Sequence, residues 1–135
     1  MAGYHGLSKR RGEEGEVLFT LCAMRQGFTV SRPVGDSARY DAIVDGGGKL
    51  SRVQVKITGV IRANGCAVIT NKFARSQRYS AAAIDFLAAY AQPFNQWYII
   101  PVAMLRRTLL VKPNGTSAFS QYVEAWHLLR KEPGQ

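Results

Sequence analysis

Cysteine and histidine are nearly missing from this chain, with two of each among 135 residues. Cys22 falls in an apolar, helix-like stretch and Cys66 at the start of an apolar strand, so both read as buried thiols in a reducing compartment and not as a disulfide. His5 and His127 are far apart and no cysteine pair has ligand spacing, which excludes a zinc site of the usual pattern. Long apolar runs are also lacking: the richest, Ala81 to Ala91, is broken by Asp85. Neither a membrane span nor a signal peptide is expected, and the chain is placed inside the cell, in the cytoplasm. Gly46-Gly47-Gly48-Lys49 lacks the fixed spacing and following helix of a phosphate loop, so no nucleotide cofactor is expected there, and a hairpin turn is the better reading. No Ser, His, Asp constellation is visible either.

Acids are scarce as well. Nine Asp and Glu stand against 18 Lys and Arg, giving a net charge of +9 and a pI near 10, the footprint of a protein whose partner is a polyanion. Six of the nine acids, Glu13, Glu14, Glu16, Asp36, Asp41 and Asp45, fall in the first 45 residues. The length suits one domain over 1–135, ordered from about 9 to 130, and no repeat, low-complexity tract or linker divides it.

What is present is a polar trio on two neighbouring strands. Asp41 opens a short apolar strand, and Gln54, Val55 and Lys56 lie inside the next one, across the glycine hairpin. Side chains two apart on a strand share a face, so Gln54 and Lys56 point one way while Val53, Val55 and Ile57 point the other, one face being core and the other a polar site. An amine in so apolar a segment needs a partner, and Asp41 is the nearest candidate. Upstream, Val17, Leu18, Leu21 and Met24 form an apolar stripe at helical spacing, with Gly27 placed to end the helix. Glu13 and Glu16 would then lie in its first turn, where acids complement the helix dipole.

A helix carrying Glu16, a strand opened by Asp41 and then Gln54-Val55-Lys56 after a glycine hairpin together resemble the PD-(D/E)XK nuclease superfamily. The resemblance extends to its small branch with a Q-x-K motif, which contains intron-encoded homing endonucleases and lies near the archaeal-type Holliday junction resolvases. Two positions depart from the pattern: Tyr40 replaces the proline, and Gln54 replaces the second acid, removing one negative charge from the site. The resemblance implies an α/β (α+β) fold with a restriction-endonuclease-like core, a central mixed β-sheet flanked by helices. It makes Ile84 to Tyr90, whose alanine-rich flanks would favour helix, a strand. Trp97 to Val102 and Leu109 to Val111 read as strands from their own composition. A last helix capped by Ser117 or Ser120 would carry Tyr122, Val123, Trp126 and Leu129 on one apolar face.

The resemblance also implies metal-dependent hydrolysis of DNA. Glu16, Asp41, Gln54 and Lys56 become the catalytic set, with Mg2+, or Mn2+ in its place, held by Asp41, Gln54, the carbonyl of Val55 and Glu16 as helper. Magnesium accepts such an all-oxygen set and keeps waters of its own. Lys56 would orient the attacking water and stabilise charge growing on the phosphate. Lys9, Arg10, Arg11, Arg39, Lys72, Arg75 and Arg78 are the candidate DNA-backbone contacts, the last three in a loop interleaved with Phe73 and Tyr79. Two strand breaks need two sites, so a homo-oligomer is expected, a dimer first, joined through the exposed remainder of Ala81 to Tyr90 or the last helix. The compact, strongly basic chain favours a branched-DNA substrate, as in a Holliday junction resolvase. The Gln54-Val55-Lys56 signature pulls toward the alternatives, a site-specific homing-type enzyme on linear duplex, beside a DNA-binding relative without chemistry.

Overall fold

The computed structural model describes residues 4–59, 67–70, 82–105, 108–112 and 118–133. Helix α1 (Tyr4–Arg25) is followed by β1 (Thr29–Ser31), β2 (Ala42–Asp45), β3 (Leu50–Thr58), β4 (Ala67–Thr70), β5 (Phe86–Ala91), β6 (Gln96–Pro101) and β7 (Thr108–Val111). Five strands form one sheet in the order β1-β2-β3-β5-β6, and β4 pairs with β7 in a separate ribbon. Only β3 and β5 run parallel in the large sheet. The mixed central sheet matches expectation, but among the described residues one α-helix flanks it, not several.

Alternation on β5 and β6 explains the two-sided core. Phe86, Ala88, Trp97 and Ile99 point to the α1 side with Phe19, Ala23 and Trp126, while Leu87, Ala89, Tyr98 and Ile100 point to the other side with Leu109 and Val111. A strand buried on both faces reads as a continuous apolar run, which is why Ile84 to Tyr90 looks helical by composition alone. Phe86–Ala89 and Ala91 are buried in this chain's own core, which leaves Ala82 exposed and Ala83, Asp85 and Tyr90 half-buried in that stretch.

Two expectations about the helix are corrected. It begins at Tyr4, ahead of the domain start expected near Lys9, so Glu13 and Glu16 lie in its middle turns and the dipole argument for them lapses; its first turn holds no acid. The stripe of Val17, Leu21 and Met24 faces outward, and the buried line is Gly15, Phe19 and Ala23, with Leu18 and Cys22 half-buried at its border. Apolar residues occupy both sides of the helix, so periodicity alone cannot choose between them. Gly27 ends the helix as expected, at φ 93° with its N–H on the Met24 carbonyl.

The last helix does not form. Ser120–Tyr122 and Trp126–Leu129 are short 3-10 turns, separated by Val123, which bridges to Tyr98, and Glu124 at φ 48°. Glu124 is held there because its carboxylate accepts the Trp97 N–H and the Trp126 indole N–H, while its own N–H donates to Trp97. Those bonds outweigh the cost of a left-handed residue and break the helical spacing. Trp126 is core, packing on Phe19, Trp97 and Phe28. Ser117 and Cys66 lie outside the described residues.

The β2–β3 hairpin is clasped by the C-terminal segment. Lys131 N–H donates to the Gly46 carbonyl at 2.7 Å and Lys49 Nζ to the Leu128 carbonyl at 2.7 Å. A Cβ on Gly46 would lie 2.0 Å from the Leu129 carbonyl oxygen, a backbone atom with nowhere to go. Gly46→Ala is therefore expected to cost about 2 kcal/mol or more, read as a lowered midpoint in urea denaturation. Gly15→Ala would set its Cβ 2.9 Å from Ile57 Cγ1 and 3.0 Å from Cδ1, side-chain atoms that must shift, and this offsets the gain of about 0.5–1 kcal/mol in helix propensity, so its midpoint should fall less than that of Gly46→Ala.

Candidate active site

Asp41 sits one residue before β2, where its N–H donates to the Val53 carbonyl at 2.8 Å. Its carboxylate accepts the Val55 N–H through Oδ2 at 2.8 Å, in the place a further β2 residue would occupy. The Ala42–Val53 pair puts Asp41 across from Gln54. In an extended residue the N–H and carbonyl point to the same side, so the Val55 carbonyl also points past the start of β2. Asp41 thus meets the backbone of Val55 where the ladder has run out.

Gln54 and Lys56 pair with Leu87 and Ala89, and Val53 and Val55 with Phe86 and Ala88. Gln54 and Lys56 therefore share the face turned away from α1, as alternation requires. That face is half-buried and continuous with the second apolar cluster, not an open polar surface.

Glu16 arrives from the helix. Gly15 lets α1 come down onto Val55 and Ile57, and the next side chain reaches Asp41. Burial, a hydrogen bond to Asp41 and the Asp41 charge push the Glu16 carboxyl up to about 7, with Glu13 adding repulsion and Arg32 opposing it. Below about pH 7 the protonated Glu16 donates to the Asp41 carboxylate, and above it the proton is released. Glu13 acts on the pair only through its charge, and Glu14 lies on the outward side of the helix.

This donor set fits a hard cation. Two carboxylates crowded enough to share a proton, an amide oxygen across from one of them and a backbone carbonyl beside it are all oxygen ligands, without the nitrogen or sulfur that zinc selects. No cluster of three or more His, Cys, Asp or Glu occurs among the described residues, so a metal here would depend on Gln54 and Val55 as well as the two acids.

The sequence reading missed Arg52. It lies two residues before Gln54 on the same face, and its guanidinium forks onto Asp85 at 3.2 and 3.0 Å while its own N–H donates to the same carboxylate at 2.7 Å. Burial pushes the Asp85 carboxyl up, but the hydrogen bonds and charge of Arg52, with Lys49, outweigh it and hold it below its usual value. Arg52 and the exposed Arg39 line a cleft of about 280 Å³ with Tyr40, Ala82 and Ala83, next in sequence to Asp41. The alternation Arg52-x-Gln54-x-Lys56 was the available signal. Arg11 is exposed on α1, and Arg10 lies on its outward side beside Val17 and Leu21. The side chain of Lys9, and all of Lys72, Arg75 and Arg78, lie outside the described residues.

The PD-(D/E)XK endonuclease family model matches residues 7–129. A solved structure described as a bacterial homing endonuclease, I-Ssp6803I, superposes with a TM-score of 0.76 at 28% identity, over 89% of this chain and 90% of that one. No functionally curated protein matches the sequence. The superposition gives the chain a restriction-endonuclease-like fold.

A carboxyl whose folded pKa is raised from 4.5 to about 7 binds more protons in the native state, so the stability it carries is complete below about 4.5 and lost as pH rises through about 7. Asp85, lowered, changes stability only on the acid side and leaves that window clear. The melting temperature without divalent cation should fall between about pH 5 and 8, and Glu16→Gln should flatten the fall. Added Mg2+ should raise the melting temperature more at the upper pH than at the lower in wild type. Equal pH profiles for wild type and Glu16→Gln would contradict the shared-proton pair.

Proposed function

Because the chain belongs to the PD-(D/E)XK endonuclease family, we propose that it is a divalent-metal-dependent DNA endonuclease that cuts linear duplex at a chosen sequence. The observation that carries this reading is the Glu16–Asp41 carboxyl pair held at the splayed end of β2 and β3, next to Gln54 and the Val55 backbone. Asp41, Gln54, the Val55 carbonyl and Glu16 are the residues that would hold the ion. Mg2+ is the proposed ion, with Mn2+ as its substitute. When bound, such an ion supplies charge neutralisation at the phosphate and a more acidic water.

The protein's own share is positioning and charge. Asp41 is fixed by the Val55 N–H, so its carboxylate does not have to be ordered when substrate arrives. Glu16 releases its proton near neutral pH, which lets the pair take up positive charge without a large pH penalty. Lys56, on the Gln54 face, offers a compact ammonium to orient the attacking water and to meet negative charge developing on the phosphate. Arg39, at the cleft beside Asp41, is suited to grip a flanking phosphate.

The choice of substrate follows the similarity. Charge and compactness alone favour a four-way junction, whereas the likeness to a homing endonuclease over nearly the whole of both chains favours a specific linear site. Breaking both strands takes two copies of the site, so the working unit is a dimer or a larger assembly.

Incubation with a randomised linear duplex library and with a labelled four-way junction, in Mg2+ or EDTA, is expected to give Mg2+-dependent breaks in both strands at one sequence and no preference for the junction. Paired symmetric nicks confined to the junction would replace this reading with a resolvase, and binding without cutting in either DNA would remove the enzyme. Asp41→Asn and Lys56→Ala should each lower the cleavage rate by about a thousandfold or more while keeping the wild-type circular dichroism spectrum. Lys56→Arg should fail nearly as badly, because a planar fork does not replace a point charge. Arg39→Ala should weaken DNA binding across sequences and reduce the salt slope by about one.

A further inference from the structure

Helix α1 is apolar on two opposite sides, and among the described residues the hydrophobic core takes up one of them. Outside the Gly15, Phe19, Ala23 line, Val17, Leu21 and Met24 are 61%, 43% and 59% exposed. Val17 and Leu21, with Arg10, Glu13 and Glu14, line an open groove of about 430 Å³. A contiguous apolar stripe rimmed by charge marks a contact surface more often than a solvated helix face.

We propose that this face is the contact between two copies of the chain, their α1 helices crossing antiparallel about a two-fold axis at the level of Phe19 and Thr20. Charge identifies the occupant. Glu14 and Arg25 are eleven residues apart, which is three turns plus about 20°, so they flank the stripe on the same side, about 16 Å apart along the helix. In an antiparallel pair that flank meets the same flank of the other copy. An axis midway between them lays Glu14 of each copy beside Arg25 of the other and sets Leu18 across from Leu21. Neither Glu14 nor Arg25 has an ion-pair partner among the described residues. Sliding the helices by one turn in one direction would bring Arg10 to the level of Arg25, about 60° around the helix, so like charges oppose that register.

The contact names the surface for the self-association proposed above, and it stands on mass, not on cleavage, so the two readings fail separately. Sedimentation velocity of the full chain without DNA is expected to give a dimer, or a tetramer that loses half its mass when this face is altered. Leu21→Glu should weaken association about tenfold or more. Arg25→Glu and Glu14→Arg should each weaken it, and the two together should restore it. Both positions are exposed, and circular dichroism of each variant establishes that it is folded. A monomeric wild type, association unmoved by Leu21→Glu, or a double variant no better than the singles would each overturn the proposal. Intact dimers that do not cut DNA would instead overturn the nuclease reading and leave this one standing.

Discussion

The site depends on how closely helix α1 lies on strand β3. Where the two cross, Gly15 has no side chain to hold them apart, and a Cβ there would already touch Ile57 at 2.9 Å. That approach carries Glu16 to Asp41, and the Val55 N–H carries Asp41 to its place. A helix lifted by the width of a larger side chain would leave Glu16 in solvent, with an ordinary carboxylate pKa and no neighbour. The acid pair is thus a consequence of backbone packing, which half-buries Glu16 beside Asp41 and so raises its pKa.

The rest of the core serves that contact from behind. Phe19, next on the inner line of α1, packs on Trp97 and Trp126 with ring centroids 5.5 and 5.7 Å away. Trp126 is presented by Glu124, whose carboxylate ties the two tryptophans' N–H groups together. Three aromatic rings from three distant parts of the chain hold the helix down, and their buried area is of the kind that dominates small cores. The Arg52–Asp85 fork does the corresponding work at the other end of β3, fixing the loop before β5 to the strand that bears Gln54 and Lys56.

Much of this was legible in the residues. The hairpin, the sharing of a face by Gln54 and Lys56 and the strand at Trp97 all follow from period-two alternation and turn chemistry. The inner and outer sides of α1 were not, because Val17, Leu21 and Met24 obey the same spacing as Phe19 and Ala23, and spacing does not say which side finds a partner. The last helix failed for a different reason: Glu124 adopts a left-handed conformation to satisfy two N–H groups, one of them 27 residues away, which no local pattern records. Arg52 was overlooked because its partner, Asp85, is 33 residues downstream.

The clasp between Gly46 and the segment from Leu128 to Lys131 joins parts of the chain that lie far apart in sequence, 79 residues in the case of Lys49 and Leu128. The hairpin itself is a local turn, but its fastening is a long-range contact whose loop-closure entropy is offset only when the intervening strands are in place. The loop that joins the strand after Asp41 to the strand bearing Gln54 is therefore held by a segment that touches neither residue.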